Sequence, residues 1–328
     1  MLVIQETRHA PSHALPAVKR IAHGSTGFLM WDVGGSGTQV GNRCEEINDL
    51  SQNPLTFERV QYDLDKGQHS TAQRQVDVSL SPSQAREVKA NARLFGQSIE
   101  TAVHYVGDLL DPMEVEAGAR TTRSVTQIAV AYHRDEILSA IAKAVASLMS
   151  LGRFTRIQPI INTSLGGGTD SACAVLLPAL VKRPDARARI LAGLDPDLLM
   201  PPIIMAAAPY AYVRNYTTRS QGTKVLANYY ATNREFDGSL LRREIAYVIT
   251  MGYSNSAGMV NDTPDRMVDV LATSALHFMA NYSYFKGRWV DSVPAAGQQP
   301  YGGIDTPENI FPTVRALREK FYPQEKQS

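Results

Sequence analysis

Three consecutive glycines, Gly166-Gly167-Gly168, stand between an apolar run and a stretch with helical character. Each glycine adds conformational entropy that folding must remove, so a plain turn is a poor explanation for three in a row. Ile157–Ile161 reads as a buried strand, and it runs directly into Ser164-Leu165-Gly166-Gly167-Gly168-Thr169-Asp170-Ser171. A glycine turn between a strand and a helix lets backbone N–H groups approach a phosphate, and the helix start adds a partial positive charge. Thr169 and Ser171 add hydroxyl donors at the same point.

A second turn of this kind lies near the start of the chain. The apolar run Phe28-Leu29-Met30-Trp31 stops at Asp32-Val33, and Gly34-Gly35-Ser36-Gly37-Thr38-Gln39 follows. The profile is a buried parallel strand feeding a tight loop, with a helix from about Gln39 to Leu50. It lacks the GxxxxGK[ST] pattern and matches GxGxxG only in part. Taken alone, this turn fits a phosphate loop and an ordinary tight turn equally well.

Further strands are expected at Phe57–Leu64, Ile203–Ala208 and Glu244–Met251. Ser81-Pro82 reads as an N-cap followed by proline at the first helical position, with the helix running to about Tyr105. Other helices are expected at Arg134–Met149 and, as a long central helix, over 264–285. Strands alternating with helices imply an α/β fold, a mostly parallel sheet with helices on both faces. In such sheets ligands bind at the carboxyl ends of the strands, where both glycine turns fall. Residues 1–25 read as an N-terminal extension, 26–293 as the principal domain, and 294–328 as a short tail with one helix.

Composition narrows the function classes. With 44% hydrophobic and 20% charged residues, the chain can build a sizeable core. A net charge of +1 gives no global reason to expect nucleic acid or an anionic membrane as partner. Cys44 and Cys173 lie far apart with no histidine or cysteine at ligand spacing, which argues against a disulfide framework and against zinc. The first residues lack the features of a secretory signal, and no apolar run is long enough to span a bilayer. A cytoplasmic protein is the expectation.

The two loops together resemble the tubulin/FtsZ superfamily. Gly34-Gly35-Ser36-Gly37-Thr38-Gln39-Val40-Gly41-Asn42-Arg43-Cys44 is similar to the first nucleotide loop and helix of tubulin, and Thr163 to Ser171 resembles the signature loop GGGTG[ST]G. The resemblance extends over residues 28–293 and implies GTP or GDP, with Mg²⁺ as a companion ion, its phosphates held between the loops. It also implies a tubulin/FtsZ-like nucleotide-binding domain that self-associates head to tail into filaments. Gly118-Ala119-Arg120 looks like the loop that closes on the γ-phosphate, although Arg120 reads equally well as a surface arginine. Asp65 stands where the family has an acidic loop residue. Asn255 and Asp269 are similar to residues that read the guanine edge; a solvated helix face is the alternative for Asp269.

Three departures qualify what the resemblance implies. Asp170 stands where the signature loop has glycine, and Ala172 replaces the last glycine. A carboxylate there repels phosphates unless it helps hold Mg²⁺, or it caps the helix. In the family the catalytic acids come from the neighbouring subunit. Here Asp291 matches the first acid, but Trp289 and Pro294 replace the asparagine and the second acid, which implies slow GTP hydrolysis at most. Fewer than 40 residues follow Asp291, too few for the family's second domain, so the chain is either a fragment or a reduced relative. The expected function is a GTP-binding filament protein. A non-polymerising nucleotide sensor of the same fold is the alternative. A nicotinamide-dependent oxidoreductase would account for the first loop but not for the triple glycine.

Overall fold

The computed structural model describes residues 26–64, 70–106, 123–164, 167–207, 247–251 and 264–285. Within them, β1 (Thr26–Val33), β2 (Phe57–Asp63), β3 (Arg74–Asp77), β4 (Arg156–Ser164), β5 (Ile203–Ala207) and β6 (Tyr247–Met251) form one sheet in the order β3-β2-β1-β4-β5-β6. Every pairing is parallel. The expected α/β architecture is therefore present.

Every residue of β1 is buried, as expected of a central strand covered on both faces. Because side chains alternate along a strand, β1 feeds two cores. Leu29, Trp31 and Val33 join the larger one, while Phe28 and Met30 join the smaller. The larger core is closed by α2 (Pro82–Ala90), α3 (Gln97–Val106), α4 (Arg123–Tyr132), α5 (Arg134–Ser150), α6 (Gly168–Lys182) and α7 (Pro184–Leu191). On the opposite face lie α1 (Gly34–Asp49), α8 (Pro264–Ala280) and the short α9 (Tyr282–Phe285). There Val40 and Cys44 of α1 pack with Leu271, Ala275 and Phe278 of α8.

Several element boundaries differ from the sequence expectation. α1 begins at Gly34 rather than Gln39, because β1 passes into the helix without an intervening loop. The turn is made at Gly34, whose φ of 65° disfavours any residue with a Cβ. Ser81 caps α2 with a full capping box and Pro82 stands in the first turn, as expected. The helix stops at Ala90, however, and a 3₁₀ turn at Ala92–Phe95 and Gly96, with φ 105°, separate it from α3. The long helix expected over 264–285 ends at Ala280, with α9 as a separate turn. The strand expected from Glu244 is described over Tyr247–Met251. The sequence expectation omitted β3, α4 and α7. β3 is only four residues long, and the alternation of Val76, Val78 and Leu80 with Asp77 and Ser79 that marks it is short.

Candidate functional site

Strand order decides where the site lies. β1 has β2 on one side and β4 on the other, so the chain leaves β1 in one direction and later returns on its opposite side. In an open parallel sheet this switch opens a crevice beyond the carboxyl ends of the two strands. β1 ends at Val33 and β4 at Ser164, and both glycine turns begin within three residues of those ends. The starts of α1 and α6 are thereby brought together.

Neither helix start is capped by its own N-cap side chain: the N-caps are Val33 and Gly167. The first amides of an α-helix have no intrahelical acceptor, so two neighbouring uncapped starts offer converging N–H donors to an anion. Gly35 and Ser36 are half-buried at the rim, Gly34, Gly37 and Thr38 are buried, and Gln39 is exposed on α1. On the other turn Gly167 is half-buried, while Gly168, Thr169, Asp170 and Ser171 are buried. Two hydroxyls at these helix starts, one of them the expected donor Ser171, turn back on their own helices. Thr38 Oγ1 donates to the Gly34 carbonyl at 2.8 Å, and Ser171 Oγ donates to the Gly167 carbonyl at 2.5 Å.

Asp170 occupies the gap between the turns. A Cβ built on Gly34 would lie 2.6 Å from the Asp170 Cγ, and one on Gly167 would collide with Oδ2. The two glycines therefore leave room for this carboxyl. Thr163 Oγ1 donates to the Asp170 backbone carbonyl at 2.9 Å and fixes the first turn of α6 to the end of β4. Burial, then the nearby charge of Asp63, push the Asp170 carboxyl up to about 8, against the pull of the amides of Asp170 itself, Ser164 and Gly37. Burial thereby favours the protonated form at neutral pH.

Beneath the first turn lies a buried polar network that sequence reading did not find. Arg59 Nε donates to Asp32 Oδ2 at 2.7 Å, and Arg59 Nη1 lies 2.7 Å from Glu45 Oε2. The same guanidinium reaches Thr71 Oγ1 at 2.8 Å and Asn42 Oδ1 at 3.1 Å. Asn162 Nδ2 donates to Asp32 Oδ1 at 2.9 Å, which ties β4 into the network. Burial opposes the Arg59 charge, but Asp32 and Glu45 outweigh it and raise its pKa. The signal lay in β2, where the polar Glu58, Arg59, Gln61 and Asp63 interrupt an otherwise apolar strand.

The glycines of α1 serve this packing as well. A Cβ at Gly37 would strike the Asn162 carbonyl oxygen, and a Cβ at Gly41 would strike Asp32 and Arg59. Both allow α1 to lie directly on the strand ends.

Asp269 sits on α8, where Arg43 Nε of α1 donates to its Oδ1 at 2.5 Å. That hydrogen bond, set against partial burial, raises the Arg43 pKa. The carboxylate is thus on the α1 side of the sheet and about four-fifths buried. Cys44 and Cys173 are both buried, and burial pushes both thiols up, as expected of small core residues. Asp65, Gly118, Ala119, Arg120, Gly166, Asn255 and Asp291 lie outside the described residues. A separate cavity of about 450 Å³, lined by Phe95, Ile99, Tyr132, Leu176, Leu180 and Arg183, lies toward the C-terminal end of α6, away from the glycine turns.

Among the described residues no group of histidine, cysteine, aspartate and glutamate is arranged to hold a metal ion, and no helix is long and apolar enough to cross a membrane. The fold and site define an open, parallel α/β protein with paired glycine turns at its topological switch point. Among solved structures the chain is similar to the GDP-bound CetZ1 monomer from Haloferax volcanii, with 12% identity and a TM-score of 0.49 over 80% of this chain and 63% of that one. It is also similar to the GTPγS-bound CetZ2 protofilament from Haloferax volcanii, at 14% identity and TM-score 0.46 over 82% and 60%. A third is the empty FtsZ dimer from M. jannaschii, at 13% identity and TM-score 0.42 over 81% and 55%. All three are tubulin/FtsZ superfamily structures, and this chain spans less than two thirds of the length of each. No protein-family model and no curated protein matches the sequence.

Proposed function

We propose that this chain binds a guanine nucleotide, GTP or GDP, with the phosphates between the starts of α1 and α6. The observation that carries the reading is the meeting, at the switch point between β1 and β4, of two glycine helix starts whose N-cap residues supply no capping side chain. The motif resemblance in Gly34–Cys44 and Thr163–Ser171 supports it independently. Gly35, Ser36 and Gly167 are the accessible positions from which backbone amides would meet the phosphates. Asp269 would accept from the guanine N1–H and exocyclic amine, for which its bond to Arg43 would have to be shared or exchanged. Mg²⁺ would enter with the nucleotide phosphates.

In this reading the protein is a tubulin/FtsZ-like cytoskeletal protein. Subunits stack head to tail with nucleotide at the junction, and Asp291 of one subunit assists slow hydrolysis in the next. A second reading, a nucleotide sensor that does not polymerise, is favoured by one observation: Asp170 fills the cradle with a carboxyl. Calorimetric titration with GTP, GDP and ATP tests the binding, and sedimentation with the tightest ligand separates the two readings. Polymer that pellets only with guanine nucleotide supports the filament. Tight binding without polymer supports the sensor. No guanine nucleotide binding would overturn both.

A further inference from the structure

The Asp170 carboxyl sits where the two helix starts converge, with Gly34 and Gly167 against it. It is buried, and its Oδ1 has no hydrogen-bond partner among the described residues. The amides acting on it are those of Gly37 at the start of α1, Ser164 at the end of β4 and Asp170 itself in the first turn of α6. Amides of this kind would serve a phosphate. The carboxyl is thus a tethered acid inside an anion cradle, and its charge state decides what the cradle admits.

We propose that Asp170 makes phosphate binding proton-linked: an anionic phosphate ligand enters the cradle only while this carboxyl carries its proton. The inference rests on the nucleotide reading given above and adds a residue that sets which charge state of the site is competent. A protonated carboxyl can donate through the oxygen that now lacks a partner, so it can hydrogen-bond a phosphate oxygen. An ionised one would face the phosphate as a like charge in a dry site.

Burial and the neighbouring charge favour the protonated form, against the pull of the amides. Asp63, at the end of β2, disfavours a second negative charge. Cys173, three residues further along α6, is a buried thiol whose pKa burial raises, so it stays neutral. From α1 and β4 the groups that act on Asp170 are backbone amides. Arg59, the buried cation on the α1 face, is taken up by Asp32 and Glu45. With the carboxyl raised to about 8, the competent form prevails at neutral pH and is lost above that value.

The test is GDP titration by calorimetry of the full chain and of Asp170→Asn between pH 7 and 9. Asparagine keeps the shape and a donor but cannot ionise. Both proteins see the same titration of the ligand, so the ratio of their affinities isolates residue 170. That ratio, wild type over D170N, should fall about tenfold across the range. Binding heats of the wild type in buffers of different ionisation enthalpy give a second measurement that needs no variant. They should show uptake of nearly one proton at pH 9 beyond the ligand's own. A constant ratio with no extra proton uptake, alongside clear GDP binding, overturns the inference and leaves the nucleotide reading intact. If neither GDP nor inorganic pyrophosphate binds either protein, the cradle is not a phosphate site and both fall.

Discussion

Arg59 on β2 and Asp32 at the end of β1 meet at 2.7 Å, with side chains only 2% and 0% exposed. The pair fastens β2 to the strand that feeds the first glycine turn, and Asn162 extends the fastening to β4. Removing one partner of a buried ion pair leaves an uncompensated charge, typically a loss of about 3–5 kcal/mol. Arg59→Met should lose stability of that order in urea unfolding. A loss below about 1 kcal/mol would show that the network does not anchor the turn.

Gly37 and Gly41 should not tolerate even one added methyl group. At Gly37 the new carbon meets a backbone carbonyl, which cannot rotate away, and at Gly41 it meets the Asp32–Arg59 pair. Overpacking of this kind destabilises by about 1–3 kcal/mol. Gly37→Ala and Gly41→Ala should each lower the thermal midpoint, whereas the higher helix propensity of alanine alone would raise it. An unchanged or raised midpoint would show that α1 can lift from the strands without loss.

Asp170 predicts a pH dependence of stability with a definite sign. Its carboxyl is raised in the folded protein from 3.8 to about 8. Below about pH 4 it is protonated in both states, so it adds no slope. Between there and about pH 8 the unfolded chain is ionised while the folded one keeps its proton, and folding weakens as pH rises. The slope is about 1.4 kcal/mol per pH unit, flattening above pH 8. The stability difference between Asp170→Asn and wild type, from denaturant unfolding at several pH values, should grow over this window. A difference independent of pH would mean that the carboxyl is ionised in the folded protein.

Under the nucleotide reading, Asp269→Ala should cost guanine its advantage over adenine. The carboxylate would meet two donors on the base edge, and leaving buried donors unpaired costs about 1–3 kcal/mol. The ratio of GDP to ADP affinity should therefore fall about tenfold or more, with phosphate contacts intact. If the ratio holds while stability drops, Asp269 serves only to tie α8 to α1 through Arg43.

Much of the fold was legible because local signals agree with it. The apolar run Phe28–Trp31, the N-cap and proline at Ser81-Pro82, and the helical period of Arg134–Met149 each match an observed element. α7 was missed although Pro184 marks its first turn, because eight residues carry little period. The break between α2 and α3 at Gly96 was missed because the apolar spacing continues across it. The glycine clusters were legible as strand-to-helix junctions, although Gly35, Ser36 and Gly37 lie within α1 rather than in a loop, and the order of the strands was not legible.

By itself the sequence determined that two glycine turns each follow a buried strand and precede a helix, and that residue 170 is an aspartate. It could not determine that β1 and β4 are neighbours, since strand pairing joins residues some 130 positions apart through backbone hydrogen bonds that leave no local pattern. Nor could it assign Gly37 and Gly41 to the packing of α1 on the strands, or show Arg59 as the partner of Asp32. The effect of Asp170 also belongs to the tertiary structure. An aspartate on an open helix end would be a charged cap. Enclosed between two glycine turns and near Asp63, it is held neutral by burial and like-charge repulsion.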